Sequence, residues 1–378
     1  MKKITIIVTQ LELGGAQMTA LDMGEYFSAL GHEVVFITNQ QGVMNDRLIG
    51  NKNIKKYLLK DLRRKVDPLR DKKAYSQIKK ILAKENPDIV HTHSSKAGIL
   101  GRKAAAAVKI KYIFHTVHGF GFGFFKNPLM KKAALWAEQN AASHSTGLVF
   151  VSKDDMITAS QLKIGRKDAY HLIRSGVDFA KFSDYTPTRD ELRKKLGIPM
   201  RSRVIVNVAP FKKQKNLMVF VSMIKEIRDS IPGIKAYIVG DGVKRKALEK
   251  AVKAASLEKN VFLPGFSLTP EEYVKAADLY LTTSLWEGLP RTIIEAFLLG
   301  IPVVGSNIGG IKEVVKNEVN GFTFDLEFPQ EGISHAVSIL NNKKLQAKLS
   351  NGAMANIPEE FSKAHMLERL AEMYDALG

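Results

Sequence analysis

The sequence contains no cysteine, and this absence removes several classes of chemistry at once. Disulfide bonds, cysteine-ligated zinc, iron–sulfur clusters and thiolate catalysis are all excluded, and a reducing cytoplasm is the expected compartment. Long apolar runs are also absent. The longest candidate, residues 293–304, is interrupted by Glu295 and Gly300 and falls short of the roughly 20 apolar residues that span a bilayer. The apolar residues 4–8 are too few for a secretion signal. The sequence therefore predicts a soluble chain.

The composition is that of a globular protein. The chain has 378 residues, of which 45% are hydrophobic and 25% charged, and this excludes disordered, collagen-like and coiled-coil classes. At about 150 residues per domain, the length predicts two domains. Short apolar runs alternate with helical segments in two series, one from residue 4 and one from residue 203. Such runs are typical of parallel strands covered on both faces. We therefore predict an α/β fold with two Rossmann-like, doubly wound domains.

Domain boundaries are predicted from the polar, turn-rich segment at residues 184–190. This segment is expected to link an N-terminal domain, residues 1–183, to a C-terminal domain, residues 184–361. The remaining residues, 362–378, are predicted to form an amphipathic helix.

Positive charge is concentrated in the first half of the chain. Residues 1–185 hold 30 basic and 16 acidic side chains, against 57 and 38 in the whole chain, and residues 52–84 alone hold 13 and three. Such a face binds nucleic acid, anionic lipid or a phosphorylated substrate, and a merely solvated surface is the alternative. The spacing of Ile78, Ile81 and Leu82 predicts an amphipathic helix there, which is compatible with lying against a membrane.

Two glycines precede the first predicted helix. Gly14 and Gly15 follow the first apolar strand, where glycine lets a ligand approach the backbone and the helix N-terminus offers free N–H groups to phosphate. A plain tight turn is the alternative. The loop lacks the G-x-G-x-x-G pattern, which disfavours a nicotinamide dehydrogenase.

Four of the nine histidines lie within 28 residues, and they are His91, His93, His115 and His118. Each pair ends an apolar strand, and ligands bind at the carboxyl ends of parallel strands. Hydrogen bonding to a ligand is favoured over a zinc site, because no carboxylate clusters with the histidines. The aromatic loop at residues 119–125 is suited to closing over a ring or a lipid. A hydrophobic loop packed at the domain interface is the alternative.

The C-terminal half contains the most specific pattern. Glu287 and Glu295 are eight residues apart in the segment WEGLPRTIIEA, which runs from a loop into a predicted helix. One carboxylate is therefore expected in the loop and the other in the helix. Ionised carboxylates accept two hydrogen bonds, so the pair suits the vicinal hydroxyls of a sugar, while loop amides at the helix start suit phosphate. A glutamate pair taken alone is commonly only solvated.

Seven segments carry a family resemblance: GGA at 14–16, HTHSSKAGILGR at 91–102, TVHGFGF at 116–122, VSKDD at 151–155, SGVD at 175–178, VGDG at 239–242 and E-x7-E at 287–295. In this order, over nearly the whole chain, they resemble the family 4 retaining glycosyltransferases of the GT-B fold. The resemblance implies two Rossmann-like domains facing each other across a cleft, the first binding the acceptor and the second the nucleotide sugar. It also implies that the last helix crosses back onto the N-terminal domain.

The resemblance assigns roles on the donor side of the reaction. Glu295 would bind the nucleotide ribose, Glu287 the hydroxyls of the donor sugar, and Lys215 the donor diphosphate. His118 would position the donor sugar, so His118, Glu287 and Lys215 are the expected catalytic residues. The residues expected to bind the donor are Gly14, Gly15, Lys215, Arg291, Thr292 and Glu295. Neither a metal ion nor a cofactor is implied, because the family needs no DxD motif and the UDP-sugar is itself a substrate.

The implied acceptor is a glycan linked to polyprenyl diphosphate. Such an acceptor accounts for the aromatic loop and for the basic first half, since each lysine near an anionic surface contributes ~1 kcal/mol. The residues expected to bind it are Lys96, Arg102, Phe120 and Phe122. We therefore expect a peripheral enzyme on the cytoplasmic face of the membrane, in cell-surface polysaccharide assembly. An anionic membrane is an expected partner and nucleic acid is not, because no nucleic-acid-binding motif interleaves with the basic run.

One position departs from the family pattern. Pro210 stands where the family usually has an arginine, five residues before the phosphate-binding lysine. The departing diphosphate gains negative charge in the transition state, so a missing cation matters. Lys212, Lys213 or Arg291 would compensate, and Arg291 is favoured because it lies between the two glutamates. The alternatives are a weakly active nucleotide-sugar-binding relative and a GT-B-fold sugar-nucleotide 2-epimerase, which would need no acceptor.

Overall fold

The computed structural model describes residues 1–12, 14–125 and 127–377. These residues form two units. The N-terminal unit contains residues 1–176 and 366–377, and the C-terminal unit contains residues 177–365.

The N-terminal unit is built on a parallel sheet, which has seven strands in the described part of the chain. The strands are β1 (Lys3–Val8), β2 (Glu33–Asn39), β3 (Ile54–Leu59), β4 (Ile89–His93), β5 (Tyr112–Val117), β6 (Gly147–Phe150) and β7 (Tyr170–Leu172). Their order across the sheet is β3-β2-β1-β4-β5-β6-β7. The helices between them are α1 (Gly15–Ala29), α2 (Asn45–Gly50), α3 (Pro68–Glu85), α4 (Ser95–Ala107), α5 (Pro128–Ala142) and α6 (Lys153–Gln161).

Both faces of this sheet are covered by helices. Ile6 of β1 packs in one apolar cluster with Leu21 of α1, and Ile7 packs on the opposite face with Ile78 of α3. A strand buried on both faces has a continuous apolar sequence, which explains the pattern of β1. The predicted amphipathic helix is confirmed as α3, in which Ile78 and Leu82 are fully buried.

The C-terminal unit has a second parallel sheet, with six strands among the described residues. The strands are β8 (Val204–Val208), β9 (Lys235–Val239), β10 (Val261–Gly265), β11 (Leu279–Thr282), β12 (Val303–Ser306) and β13 (Gly321–Phe324), in the order β10-β9-β8-β11-β12-β13. The helices are α7 (Phe179–Ser183), α8 (Arg189–Lys195), α9 (Leu217–Ser230), α10 (Arg245–Ala254), α11 (Pro270–Ala276), α12 (Arg291–Leu298), α13 (Gly309–Val314), α14 (Pro329–Asn341), α15 (Lys343–Ala355) and α16 (Lys363–Asp375).

The two sheets repeat one strand order. Numbered within each unit, the first six strands run 3-2-1-4-5-6, which is the order of Rossmann folds, and the N-terminal unit adds β7 at its edge. The prediction of two Rossmann-like, doubly wound units is confirmed.

The division between the units falls at residues 176 and 177, seven residues before the predicted boundary at 183. Val177 belongs with the C-terminal unit because its N–H donates to the carbonyl of Phe361 (2.8 Å) and its carbonyl accepts from Lys363 (2.7 Å). Helix α16 changes unit along its length. From Met366 onward it belongs to the N-terminal unit, and its Tyr374 lies in the apolar cluster of β1 and α1.

Candidate active site

The strand order fixes where a ligand site belongs in each unit. In an open parallel sheet, ligands bind beyond the carboxyl ends of the strands, at the point where the strand order reverses. That point lies between β1 and β4 in the N-terminal unit and between β8 and β11 in the C-terminal unit. In the C-terminal unit, the loop after β8 carries Lys215 and the loop after β11 carries Glu287.

These two loops of the C-terminal unit are tied together by hydrogen bonds. The Thr283 hydroxyl donates to the carbonyls of Lys215 (3.2 Å) and Asn216 (3.1 Å). The Gln214 side-chain amide donates to the carbonyl of Trp286 (2.7 Å). Since both loops are held at their backbones, the side chains that they carry are held in a fixed relation.

Glu287 and Lys215 form an ion pair at this edge of the sheet. Lys215 Nζ donates to Glu287 Oε1 at 2.5 Å, and the Ser284 hydroxyl donates to the same oxygen at 2.7 Å. Gln214 Nε2 donates to Oε2 at 3.2 Å. Only 16% of the Lys215 side chain and 10% of the Glu287 side chain are exposed, so the pair is shielded from screening by water. Two of the predicted catalytic residues are therefore neighbours.

Two glycines bring a second loop against Glu287. Gly309 has φ +37°, and the N–H of Gly310 donates to the carbonyl of Glu287 (3.3 Å). A Cβ atom on Gly310 would lie 1.7 Å from the carbonyl oxygen of Gly288. This approach is open only to glycine, so the pair Gly309-Gly310 buttresses the loop that presents Glu287.

Glu295 differs from Glu287 in its surroundings. It lies in the second turn of α12, as the spacing predicts, and it is partly buried. Burial raises the pKa of its carboxyl, and Arg291, one turn earlier in the helix, acts in the opposite direction. Within residues 1–12, 14–125 and 127–377, no hydrogen-bond or ion-pair partner of this carboxylate is found. A partly buried carboxylate with unused acceptor sites is suited to binding hydroxyl groups.

Thr292 is held by the core of the C-terminal unit. The Tyr280 hydroxyl donates to Thr292 Oγ1 at 2.9 Å, and burial raises the pKa of Tyr280. Tyr280 therefore remains protonated, and its hydroxyl lies between Thr292 and the carbonyl of Val208 (3.3 Å). The structure places Thr292 in the first turn of α12, directly after Arg291.

The loop around Pro210 is fixed by the VGDG segment. The N–H of Phe211 donates to the carbonyl of Asp241 (2.8 Å), and a Cβ atom on Gly240 would lie 2.1 Å from the carbonyl oxygen of Ala209. Proline supplies neither an N–H nor a charge at this point. The cations of this loop come after it, at Lys212, Lys213 and Lys215.

The N-terminal unit has the corresponding arrangement between β1 and β4. The hydroxyls of Thr9 and Ser94, which follow the two strands, are 2.7 Å apart and join the loops. Gly14 caps α1, and the N–H of Met18 donates to its carbonyl (3.0 Å). No acidic residue lies in the first turn of α1, so the helix N-terminus at Gly15 suits an anion.

The four histidines lie together beside the same strand ends. His91 is held at both ring nitrogens, by the Tyr374 hydroxyl of α16 (2.6 Å) and by Thr116 Oγ1 (2.7 Å). His93 Nδ1 lies 3.1 Å from His118 Nε2. The ring partners found here are protein groups, so hydrogen bonding of the cluster to a ligand stays a prediction.

Burial makes three of these histidines a source of acid lability. It lowers the pKa of His91 from 6.5 to about 3, and it lowers the pKa values of His93 and His115 well below 6.5. The unfolded chain therefore binds more protons than the folded protein below pH 6.5. We expect stability to be fully present above that pH and to fall by up to about 1.4 kcal/mol per pH unit and histidine as the pH drops.

Urea unfolding at several pH values between 7.5 and 5 measures this slope. His115→Asn keeps a donor or acceptor for Thr92, which lies 2.9 Å from His115 Nδ1, and removes one titrating ring. The free energy of unfolding of His115→Asn should change less steeply with pH than that of the wild type, by the equivalent of about one bound proton. Equal slopes would show that His115 titrates normally in the folded protein.

The structure gives two predicted acceptor residues other partners. Lys96 is 12% exposed and forms an ion pair with Asp71 (2.5 Å). Arg102 is fully buried, and its guanidinium pairs with Glu138 (2.6 Å) and donates to the carbonyl of Gly98 (2.8 Å). The arginine therefore has a structural role in place of the predicted contact with an acceptor, because a buried guanidinium needs a buried carboxylate.

The two predicted aromatic residues remain partly exposed. Phe120 and Phe122 have ring centroids 5.1 Å apart, and both pack against a small core that includes Val117 and Phe150. Residues that sequence reasoning missed are Gln214, Thr283 and Ser284, which hold Lys215 and Glu287. Thr283 and Ser284 are signalled only by polarity directly after the buried strand β11, and Gln214, six residues after β8, carries no comparable signal.

Comparisons with known proteins agree with this architecture. The family model "Glycosyltransferase Family 4" matches residues 13–181, and "Glycosyl transferases group 1" matches residues 188–355. The UDP-Gal:alpha-D-GlcNAc-diphosphoundecaprenol alpha-1,3-galactosyltransferase of Escherichia coli is 32% identical to this chain, over 98% of this chain and 97% of that protein. The chain belongs to glycosyltransferase family 4.

More distant relatives of this glycosyltransferase match it over nearly its whole length. N-acetyl-alpha-D-glucosaminyl L-malate synthase of Bacillus anthracis is 20% identical over 96% of this chain and 94% of that protein. HepE of Anabaena, solved in complex with UDP-glucose, has a TM-score of 0.85 at 21% identity, and the match covers 100% of both chains. The GT-B fold of this glycosyltransferase is thereby confirmed, and the 2-epimerase alternative is not favoured.

Proposed function

We propose that this glycosyltransferase moves a sugar from a UDP-sugar to a glycan on polyprenyl diphosphate, with retention at the anomeric carbon, in cell-surface polysaccharide assembly. The observation that carries the proposal is the contrast between two carboxylates at one sheet edge. Glu287 holds Lys215 at 2.5 Å, whereas the Glu295 carboxylate has no partner among the described residues. A nucleotide ribose supplies the hydroxyl donors that Glu295 lacks.

In the proposed donor site, different residues bind the ribose, the sugar and the diphosphate of the donor. Glu295 accepts from the ribose hydroxyls and Glu287 from the hydroxyls of the sugar. Lys215 and Arg291 neutralise the diphosphate, with Arg291 standing in for the cation that Pro210 does not supply. Gly14 and Gly15 offer backbone N–H groups to phosphate.

The proposed reaction needs no covalent enzyme intermediate. The bond between the anomeric carbon and the phosphate oxygen breaks, and the acceptor oxygen bonds to the same face of that carbon. The acceptor hydroxyl proton passes to the departing phosphate oxygen. His118 positions the sugar, and Lys215 stabilises the negative charge that grows on the diphosphate.

The relative from Escherichia coli guides the choice of substrates, since its name specifies transfer of galactose to GlcNAc-diphosphoundecaprenol. Purified protein should release UDP from one member of a UDP-sugar panel, and this acceptor should stimulate the release. Proton NMR of the product should show the anomeric configuration of the donor. An inverted product would exclude retention, and the absence of UDP release with every donor would exclude the proposed donor class.

We also propose that the protein attaches to an anionic membrane surface. No helix in the described ranges is long and apolar enough to cross a bilayer, so attachment would be peripheral. Several basic residues of the segment 52–84 are neutralised within the unit, since Lys55 pairs with Glu85 (2.7 Å) and Arg64 with Glu12 (2.6 Å). The exposed face of α3 retains five lysines: Lys72, Lys73, Lys79, Lys80 and Lys84. Leu69, at the start of the same helix, is 77% exposed.

We expect vesicles that contain anionic phosphatidylglycerol to float the wild-type protein at low salt. High salt should release it, because the screening length is about 8 Å at physiological ionic strength and about 3 Å at 1 M. A variant with the five α3 lysines changed to glutamine should stay unbound.

The matched control changes lysines in the other unit. Lys244, Lys246, Lys250 and Lys253 are exposed at the start of α10 and along it, and their replacement by glutamine should leave flotation intact. Wild-type protein that stays unbound at low salt would contradict membrane attachment through α3.

A further inference from the structure

Among the described residues, one ring nitrogen of His93 has a hydrogen-bond partner and the other has none. It ends β4 with no exposed surface, and its Nδ1 lies 3.1 Å from His118 Nε2. Its own Nε2 is buried, and no hydrogen-bond partner for it is found in the part of the chain that the structure describes. The proton positions on the two rings follow from this asymmetry.

Only one arrangement of protons avoids an orphaned donor. Burial lowers the pKa of His93, so the ring is neutral and carries one proton. A proton on Nε2 would leave a buried N–H without an acceptor, and such groups are rare in folded proteins. A proton on Nδ1 is donated to His118 Nε2. Nε2 of His118 is then the acceptor and carries no proton, so the ring proton of His118 lies on Nδ1.

The ring of His93 is also held in orientation. It stacks on the ring of His91, with centroids 4.9 Å apart and planes 12° apart. The ring of His91 is fixed by the hydroxyls of Tyr374 and Thr116 at its two nitrogens. The donor at His93 Nδ1 is therefore aimed at His118 by packing on one side and by the strand backbone on the other.

We propose that His93 is a positioning residue that selects the Nδ1–H tautomer of His118 by donating a hydrogen bond to its Nε2. The catalytic consequence rests on the proposed function, in which His118 contacts the donor sugar. In that role, His118 presents an N–H donor at Nδ1 to a sugar hydroxyl. The hydrogen bond that one ring nitrogen makes sets the tautomer of the ring, and this sets what the other nitrogen can do.

The tautomer is measured directly by NMR on protein labelled with 15N-histidine. Long-range 15N–1H correlation distinguishes a protonated ring nitrogen from an unprotonated one, and His118→Gln identifies the His118 signals by their loss. We expect an unprotonated Nε2 and a protonated Nδ1 in His118 of the wild type. In His93→Leu, the proton of His118 should be redistributed toward Nε2. A proton on Nε2 in the wild type, or an unchanged spectrum in His93→Leu, would overturn the proposal.

Turnover tests the positioning role with a conservative variant. The amide nitrogen of asparagine can occupy the place of histidine Nδ1, so His93→Asn should keep the Nδ1–H tautomer of His118 and most of kcat. We expect His93→Leu to lower kcat roughly 10- to 100-fold, as misplaced catalytic groups do, while KM for the donor changes little. Equal losses of kcat in the two variants would overturn positioning by the hydrogen bond.

His335→Asn is the control for the loss of a histidine ring. His335 lies in α14 of the C-terminal unit, where its ring stacks on Phe322, so its replacement should alter neither the tautomer of His118 nor kcat. The NMR measurement needs no substrate. If no UDP-sugar is turned over, the proposed function fails while the tautomer of His118 still decides the inference about His93.

Discussion

Replacing Glu295 with alanine should weaken UDP binding by roughly 1.5–3 kcal/mol, the usual range for hydrogen bonds to a charged group. This is about a 10- to 150-fold increase in Kd. The carboxylate lies one turn into α12 and has no partner among the described residues. Its oxygens are therefore not already occupied by one of these groups when the ribose hydroxyls arrive. Calorimetry with UDP measures the effect. Glu258→Gln, at an exposed glutamate of the same unit, should bind UDP as the wild type does.

Removing the charge of Glu295 should stabilise the free protein, although it weakens UDP binding. Burial raises the pKa of Glu295 above the 4.5 of an unperturbed carboxyl, so its ionisation opposes folding. The favourable contribution of its protonated form is present below pH 4.5 and is lost as the pH rises through the folded-state pKa. Glu295→Gln should therefore stabilise the free protein at pH 7 and have little effect at pH 4.

Urea unfolding at the two pH values checks this dependence on pH. A variant that both binds UDP normally and has wild-type stability at pH 7 would remove Glu295 from the site. The combination of weaker binding with higher stability is typical of a residue kept for its ligand.

Replacing Lys215 with alanine should lower kcat by roughly 100- to 1000-fold and change KM for the donor much less. The negative charge on the diphosphate grows as the sugar leaves, so a cation placed there is worth more in the transition state than in the bound donor. Steady-state kinetics with the UDP-sugar that is turned over separates kcat from KM. Lys225→Ala, at an exposed position of α9, is the control for loss of a lysine.

Lys215→Ala also leaves the carboxylate of Glu287 with less compensation, which is expected to destabilise the unit. The double variant Lys215→Met with Glu287→Gln removes both charges and should regain stability without regaining turnover.

Arg291→Ala is measured by the same steady-state kinetics. Its loss of kcat should approach that of Lys215→Ala if Arg291 stands in for the cation missing at Pro210. Small, equal effects of Arg291→Ala on kcat and KM would contradict the idea that Arg291 replaces the missing cation.

Apolar runs predict most clearly the strands that are buried on both faces. β1, β8 and β11 lie in the middle of their sheets, and their sequences are almost wholly apolar. The apolar pattern also predicts the edge strand β10, whereas it leaves out three other edge strands, β3, β7 and β13, and the interior strand β6. Edge strands have fewer neighbours and tolerate polar residues, such as Lys55 and Lys56 in β3.

Local sequence also predicts where each carboxylate of the E-x7-E pattern lies. A loop with Gly288 and Pro290 cannot be helical, and the apolar residues after it recur at helical spacing, so Glu287 is in a loop and Glu295 in a helix. What the two carboxylates contact is not local. Lys215 reaches Glu287 across 72 positions of the chain.

By itself the sequence determines the two-unit α/β plan, the parallel sheets and the segments that carry chemistry, because each depends on residues close together in the chain. Only the tertiary structure decides which of these side chains are already satisfied. In the structure, Arg102 pairs with Glu138 and the Tyr374 hydroxyl bonds to His91. Lys215 contacts Glu287, and Glu295 has no partner among the described residues. The physical reason is that a buried charge or ring nitrogen must find its partner in space, and the strand order, not the sequence spacing, brings that partner close.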